Sequence, residues 1–394
     1  MDADAGKTRQ FWSDNLVLGV ATVAAGIFNT LYSVVLAHSL GPVRYGLVAG
    51  LNNLVGLFLL PLPLVGLAAV RYGKQQGQTW ISRGAMGLGA LLFLVALLLA
   101  PLLGRALKVS DTLILLFSAG LVFNYGYALY VGFLERARRY YWVGFLVGLS
   151  SVSALMAVAM AVTVGRHHPL FWLGVWQGLA VLGLFLAARR ASRCVEPVPP
   201  APLSRAMVAT TVGVGTLQSL WGLSDSLWAR VELTPHAAGL YAGLATIGQG
   251  LPFLASGLVT VMLTAILDTP AQRRALLVRT IGMVFIIAVT FWGVVTLAPD
   301  VVVQVALGRR FLPLLPLVQR YIGAMAALSF VLALTTYSVA IGAYQAMVAA
   351  AVGTAGWVVS MAGAHSMAAL VNRTVLFMGV TLVLVVVGLG RQYQ

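Results

Sequence analysis

The side chains best suited to chemistry in this sequence are the few polar and charged groups inside long apolar runs. A charged side chain within a membrane-spanning segment costs roughly 3 kcal/mol, so it is kept where it faces a cavity, a partner or a ligand. Such groups bind and orient a substrate. The residues that we expect to line a substrate cavity are Asn29, Asn52, Asn53, Gln218, Asp225, Gln249, Arg320 and Arg373.

Arg320 and Arg373 are the candidates for binding an anion. Each lies about seven or eight residues inside its apolar run, which is roughly 10 Å at 1.5 Å per residue. A guanidinium at that depth offers forked donors to a phosphate or diphosphate, although its long side chain could also reach the membrane surface. Arg44 and Arg230 lie nearer the ends of apolar runs. An arginine there could line the outer mouth of the cavity or anchor the helix at the lipid headgroups, and the sequence does not distinguish the two roles.

A further polar set follows helical spacing around Asp225. Gln218, Trp221 or Gly222, and Asp225 are three or four residues apart, so they share one face of a helix. Asp225 is the only acidic residue well within an apolar run, and it is either a functional carboxyl group or an interfacial group near Arg230. The candidate amides either line a cavity or form hydrogen bonds between helices, which contribute about 0.6 kcal/mol each.

The elements that position these residues are transmembrane helices. The 394-residue chain is 60% hydrophobic and 9% charged, and its mean hydropathy is +0.94. Apolar runs of about 20 residues recur along it, the length that crosses a hydrocarbon core roughly 30 Å thick. These runs are continuous rather than alternating, which predicts an all-α polytopic membrane protein and not a β-barrel. Cys194 is the only cysteine, so we expect no intramolecular disulfide. Metal-ligand spacing is absent from the sequence, and we expect no metal site and no cofactor.

The apolar runs and their interruptions predict about twelve transmembrane helices. The predicted spans are 15–38, 45–70, 84–106, 112–133, 141–164, 168–187, 206–229, 238–266, 276–298, 312–340, 343–363 and 366–388. The net charge of +15 would suggest nucleic acid in a soluble protein, but here it follows the positive-inside rule. One side of the predicted membrane collects 16 Lys and Arg residues and the other collects seven, so both termini are expected in the cytoplasm.

The chain divides at one linker into two halves that share a motif. Residues 188–205 are rich in proline and charge and cannot continue a membrane helix, so residues 1–187 and 206–394 are predicted to form two six-helix lobes. A shift of 193 positions aligns LGPVRYGLVAGL (40–51) with LTPHAAGLYAGL (233–244), with seven identities in twelve positions. An even number of helices per repeat predicts parallel repeats around a central cavity, which is the plan of a transporter.

Two stretches resemble a known family. The pattern AxSLGPxxYGL beginning at Ala37, followed by AAVRYGKQ (68–75), resembles the first two helices of polysaccharide exporters. These are the Wzx-type flippases of the multidrug/oligosaccharidyl-lipid/polysaccharide (MOP) superfamily. The stretch DSLWARVELTPHAAGLYAGLATIGQGLP (225–252) looks like the same family's seventh and eighth helices. The matching motifs cover about seventy residues, whereas the helix count and the two lobes match over the whole chain.

The resemblance implies a flippase of the cell (cytoplasmic) membrane. Such a protein moves a polyprenyl-diphosphate-linked oligosaccharide or polysaccharide precursor to the outer leaflet by alternating access. Its partners would be membrane lipid, the glycan substrate and polysaccharide-assembly proteins, with no nucleic acid. Whether transport is coupled to an ion, H⁺ or Na⁺, is left open by the sequence.

Three alternatives compete with this interpretation. A cation-coupled multidrug exporter of the same superfamily would require buried carboxylates, and within the predicted spans basic residues outnumber acidic ones. A non-transporting accessory subunit of a polymer export complex is the second alternative. A membrane-embedded enzyme is not expected, because the sequence has no paired-carboxylate motif, no phosphate-binding glycine loop before a strand and no nucleophile elbow.

Overall fold

A computed structural model describes residues 2–72, 79–165, 167–193, 195, 208–268 and 270–391. Fourteen α-helices are defined within these ranges. They are α1 Asp2–Phe58, α2 Leu62–Tyr72, α3 Thr79–Leu107, α4 Asp111–Ser118, α5 Leu121–Arg136, α6 Tyr140–Thr163, α7 Pro169–Arg193, α8 Gly215–Glu232, α9 Pro235–Asp268, α10 Arg273–Leu297, α11 Pro299–Leu307, α12 Leu315–Ala340, α13 Gln345–Met361 and α14 Met367–Gly390. A π-helical turn, Ala209–Val214, precedes α8. The short 3₁₀ segments Pro270–Gln272 and Arg309–Leu314 precede α10 and α12.

The predicted all-α membrane class is confirmed. Within the described ranges, nine helices are long and apolar enough to cross a membrane by length and composition. The difference from the predicted twelve has three sources. The structure joins the first two spans into α1, α13 has only 17 residues, and α8 is not among the nine.

Gly41 explains why α1 contains two predicted spans. Its backbone is non-helical, with φ 68° and ψ 174°, a conformation that is open mainly to glycine. Pro42 follows and has no backbone N–H to continue the hydrogen bonds of the helix. The Gly-Pro pair therefore divides α1 into a segment before the kink and a segment after it, although the backbone stays helical on both sides.

The chain separates into two units. The first unit contains Met1–Ser39 and Pro61–Leu203, and the second contains Leu40–Leu60 and Ser204–Gln394. The segment of α1 after the kink thus packs with the second half of the sequence, whereas the prediction from the sequence was that all of residues 1–187 belong to the first lobe. The predicted linker 188–205 lies largely outside the described residues, as does Cys194.

In the first unit, α5, α6 and α7 converge on an apolar cluster at one end. Its buried members are Leu134, Val143, Leu146, Ala188, Ala191 and Val195. Small alanines on α7 let the three helices approach closely, as is common in membrane proteins. The cluster fixes the relative positions of the charged turns that follow α5 and end α7.

In the second unit, α12 is the central helix. It packs against α9, α10, α13 and α14, and most of its residues are buried. Tyr321, Ile322, Val331 and Tyr337 have no exposed surface. Because most faces of α12 are covered by other helices, any accessible position on it stands out.

The second segment of α1 meets α9 at two glycines. A Cβ atom on Gly46 would overlap the Cα of Gly239, and a Cβ on Gly239 would overlap the carbonyl group of Pro42. Gly46 and Gly239 are also equivalent positions in the repeated motif. Equivalent positions contact each other where a two-fold relation joins two copies, so this crossing supports the predicted duplication.

We predict that Gly239→Ala destabilises the protein. Its Cβ would collide with backbone atoms of Pro42 that no rotamer change can move, and such overpacking costs about 1–3 kcal/mol or more. Gly257→Ala on the same helix is the matched control, because a Cβ at Gly257 meets no heavy atom within 4 Å. Thermal unfolding of the purified protein should show a lower midpoint for Gly239→Ala alone. Equal midpoints for the two variants would contradict this packing.

Candidate functional site

Asp225 is the one carboxyl group among the candidate residues, and it is fully buried. It lies on α8 with no exposed surface. Its Oδ1 accepts hydrogen bonds from the backbone N–H of Ser226 at 2.6 Å and from the Ser226 hydroxyl at 3.2 Å. The hydroxyl of Tyr321 donates to Oδ2. A buried carboxyl group is expensive unless hydrogen-bonded, and these three donors meet that requirement.

Aromatic residues from two other helices enclose this carboxyl group. Tyr321 lies on α12, and its ring meets the ring of Tyr241 on α9 edge to face, with centroids 5.9 Å apart. Both tyrosines have no exposed surface. The site therefore joins α8, α9 and α12. Full burial does not fit an interfacial carboxylate, which was one of the two interpretations left open for Asp225.

The turn of α8 just before Asp225 receives polar side chains from three other segments. Gln249 on α9 donates to the carbonyl of Gly222 at 2.8 Å, and Asn53 on the second segment of α1 donates to the carbonyl of Leu223 at 3.4 Å. The indole N–H of Trp221 donates to the Thr354 hydroxyl on α13 at 2.7 Å.

The structure thus brings Asn53, Gln249 and Asp225 around one stretch of α8. For the two amides, the contacts seen are hydrogen bonds between helices, which was one of the two interpretations left open by the sequence. Gln218, one turn earlier on α8, and Asn52 beside Asn53 are half-buried. Asn29 is exposed on the first segment of α1, in the first unit.

The arginine candidates lie in three different environments. Arg230 at the end of α8 is 3% exposed, and its Cγ lies 3.6 Å from where a Cβ on Gly50 would stand. Arg44 is exposed next to the kink of α1, so the two residues proposed for an outer mouth differ in accessibility. Arg373 is half-buried, and Arg320 is exposed.

Arg373 binds the end of α13. Its guanidinium donates to the carbonyl oxygens of Ser360, Ala362 at 2.8 Å and Gly363 at 3.5 Å. The last carbonyls of a helix have no partner within the helix, so a cation beside them stabilises the helix end. This contact gives Arg373 a structural role at the loop between α13 and α14.

Glu232 holds the same loop from the other side. Its Oε1 accepts a hydrogen bond from the Gly363 backbone N–H at 3.0 Å, and its Oε2 lies 3.2 Å from Nδ1 of His365. Glu232 thus ties the end of α8 to the α13–α14 loop. Glu232 was not predicted from the sequence, because a carboxyl group at the end of a span resembles an ordinary interfacial residue.

Arg320 belongs to a polar exposed face at the start of α12. Pro316, Gln319, Arg320 and Gly323 are exposed and recur at three and four residues, so they form one stripe over two turns. The exposed face of α10 has a different character. It carries the large apolar side chains of Val278, Phe285, Ile286, Val289 and Trp292. An apolar face of that kind suits lipid, whereas an exposed glutamine and an exposed arginine suit an aqueous path.

Within the described ranges, no three His, Cys, Asp or Glu side chains converge as a metal site would require. The site residues that were not predicted from the sequence are Ser226, Tyr241, Tyr321 and Thr354. Serine, tyrosine and threonine are common within apolar helices, and only the packing of α9, α12 and α13 around α8 shows which of them lie at this site.

Comparisons with known proteins identify the fold. No family model matches the chain, and no curated protein matches it in sequence. A solved structure of the lipid II flippase MurJ in an inward closed conformation is similar with a TM-score of 0.77 at 9% identity, covering 95% of this chain and 87% of that one. An inward-facing structure of a multidrug resistance MATE family transporter of the MOP superfamily is similar with a TM-score of 0.69 at 12% identity, and the match covers 94% of each chain. A structure of a MOP superfamily transporter from Pyrococcus furiosus is similar with a TM-score of 0.58 at 12% identity, and the match covers 96% of this chain and 95% of that one.

These similarities show that the chain has the fold shared by these transporters, and its nine apolar helices in the described ranges fit a multi-pass membrane protein. The family resemblance seen in the sequence agrees with this fold. At such low identities the likeness shows the fold alone, and flippases and multidrug exporters both have it.

We predict that Arg373→Ala destabilises the protein. The substitution removes charged donors from carbonyls at the end of α13, and hydrogen bonds to a charged group contribute roughly 2 kcal/mol. Arg320→Ala is the matched control, because that side chain is exposed and such changes usually stay within about 0.5 kcal/mol. Thermal unfolding should show a lower midpoint only for Arg373→Ala. A larger effect of Arg320→Ala would contradict the assignment of these two arginines.

Proposed function

We propose that this protein is a flippase that moves a lipid-diphosphate-linked oligosaccharide or polysaccharide precursor from the cytoplasmic to the outer leaflet by alternating access. The observation that supports it most directly is the exposed polar face of α12, with Gln319 and Arg320, in a unit whose central helix is otherwise covered. The MOP-superfamily fold supports a transporter in general. The membrane is the cell (cytoplasmic) membrane, with both termini in the cytoplasm.

The chemistry of the α12 face fits an anionic headgroup. A diphosphate needs a cation that is accessible to it, and a guanidinium offers paired donors to phosphate oxygens. Arg320 is accessible, Gln319 beside it adds an amide, and Gly323 one turn later leaves space. Arg44, also exposed in the second unit, is a further cation available to such a substrate.

Asp225 supplies a site for the coupling ion. A carboxyl group that is held by hydroxyl donors inside a membrane protein can take up a proton, or a sodium ion if those hydroxyls turn their oxygens toward it. The contacts of Asp225 span α8 and α12, so a change in its charge would act on the helix that carries Arg320. In this proposal H⁺ or Na⁺ binding at Asp225 drives the return step of transport.

The second candidate function is cation-coupled export of a multidrug or small-molecule substrate. The full burial of Asp225 favours it, because such an exporter requires a buried carboxyl group. The two functions differ in the charge of the substrate. A lipophilic cation would be repelled by Arg320, whereas a lipid-linked diphosphate would be attracted to it.

We expect Arg320→Gln to slow flipping of a lipid-linked glycan by about tenfold or more, because one charge-assisted phosphate contact contributes roughly 1.5–3 kcal/mol. The measurement is the rate at which a fluorescently labelled polyprenyl-diphosphate glycan crosses the bilayer of proteoliposomes. Arg309→Gln is the matched control, since it removes the same charge from an exposed position in the preceding 3₁₀ segment. Equal rates for both variants would overturn the role of Arg320. Export of ethidium without any glycan flipping by the unaltered protein would support the second candidate.

We expect Asp225→Asn to abolish the dependence of transport on a proton or sodium gradient while the protein remains folded. The amide has nearly the shape of the carboxyl group but cannot change its charge. Initial rates with and without each imposed gradient, in the same proteoliposomes, are the readout. Ser226→Ala is a companion variant that removes one hydroxyl donor and keeps the carboxyl group. Unchanged gradient dependence in Asp225→Asn would exclude Asp225 as the coupling site.

A further inference from the structure

A dense group of arginines lies at one end of the first unit. Three follow or end α5 and three lie in the last turns of α7. Together they form the arginine patch, which consists of Arg136, Arg138, Arg139, Arg189, Arg190 and Arg193. All are exposed except Arg136, which is half-buried.

The apolar cluster of α5, α6 and α7 places the two halves of the arginine patch beside each other. Leu134 lies just before the first three arginines and packs in one cluster with Ala188 and Ala191, which lie among the other three in sequence. The turn after α5 is closed by Arg138 in the left-handed region, with φ 54°, and by the Arg139 N–H donating to Leu134 at 2.9 Å. The patch is therefore a defined surface and not six independent side chains.

A groove runs along the α7 side of this patch. Its volume is about 570 Å³, and the described residues that line it are Leu186, Arg189, Arg190 and Arg193. Three guanidinium groups and one aliphatic side chain thus face the same open space. This pairing of charge with an apolar wall suits a molecule that has an anionic head and a hydrocarbon tail.

The start of α6 adds a positive helix end and an aromatic border. α6 begins at Tyr140, directly after Arg139, so its unpaired N–H groups add positive potential to the patch. Tyr141, Trp142 and Phe145 are exposed there, and their rings meet edge to face at 6.4 and 5.9 Å between centroids. Exposed aromatic side chains of this kind lie at the level of lipid headgroups.

The charge balance of the surface selects an anion. Six arginines lie within these turns, and Glu135 is the single carboxylate among the residues 134–146 and 184–193. Clusters of four to eight basic residues beside a membrane helix bind anionic lipid headgroups by electrostatic attraction. Arginine is the cation best suited to a phosphodiester, because its paired N–H donors fit two phosphate oxygens.

We propose that the arginine patch and its groove form a binding site for an anionic phospholipid of the surrounding bilayer. The phosphate lies among Arg189, Arg190 and Arg193, and an acyl chain lies against Leu186. This site belongs to the first unit, whereas Asp225 and Arg320 belong to the second, and the proposal does not depend on the proposed transport function. A bound lipid would brace the ends of α5, α6 and α7 at the level of the headgroups.

The test compares an anionic and a zwitterionic phospholipid that have the same acyl chains. The unaltered protein is mixed in detergent with dioleoylphosphatidylglycerol or dioleoylphosphatidylcholine at equal concentration, and native mass spectrometry measures the fraction that carries lipid. We expect a clear preference for phosphatidylglycerol. The triple variant Arg189→Gln, Arg190→Gln and Arg193→Gln should bind it about a hundredfold more weakly, because each arginine near an anionic headgroup contributes roughly one factor of five.

Two further triple variants test whether the lipid preference depends on positive charge and on the location of that charge. Replacing the same three arginines with lysine should keep most of the preference, which would exclude loss of folding as the cause. Replacing Arg273, Arg274 and Arg279 at the start of α10 with glutamine removes the same charge elsewhere and should leave the preference intact. Equal binding of both lipids, or an equal loss in the α10 variant, would overturn the proposal. Displacement of the lipid by millimolar inorganic phosphate would also overturn it, because the site would then bind free phosphate.

Discussion

The backbone contact between Gly46 and Gly239 is the constraint on which the second unit depends. Any side chain at either position would push the second segment of α1 away from α9. The hydroxyl of Tyr45, which lies 2.5 Å from that of Thr246, and the Asn53 amide at the Leu223 carbonyl both require this close approach. The glycines at these two equivalent positions of the repeat thus let a segment from the first half of the sequence pack as part of the second unit.

The close crossing also explains the polar core around α8. Polar groups in a membrane protein must find partners inside the protein, because lipid offers none. Asn53, Gln249 and Trp221 each find one near the same stretch of α8, and Asp225 finds Tyr321 and Ser226. These hydrogen bonds join α1, α9, α12 and α13 to α8. A change at Asp225 would therefore be felt by several helices at once, which is the property that an ion-coupling site requires.

The sequence predicts the large features of this structure because they depend on hydrophobicity. Continuous apolar runs predict the helices, and the repeated Leu-Pro-Gly pattern marks the two positions that later meet at the crossing. The boundary between the units could not be predicted in the same way. Pro42 and Gly41 predict a turn, but only packing decides that the residues after the turn join the other half of the chain.

The roles of single polar residues were the least predictable part. Arg320 and Arg373 have the same depth in sequence, yet one is exposed on α12 and the other binds carbonyls at the end of α13. Their difference depends on whether a neighbouring helix ends within reach of the guanidinium. One partner of Asp225, Tyr321, likewise lies 96 positions away in the sequence, and no local pattern identifies it.

The most direct test of the central claim is the leaflet distribution of lipid-linked glycans in cells depleted of this protein. Membrane vesicles of known orientation would be treated with an impermeant reagent that modifies the glycan, and the extracted lipids would be quantified. If the protein carries a lipid-diphosphate-linked glycan outward, the precursor should accumulate in the cytoplasmic leaflet and return to normal when the protein is restored. An unchanged distribution on depletion would contradict the account.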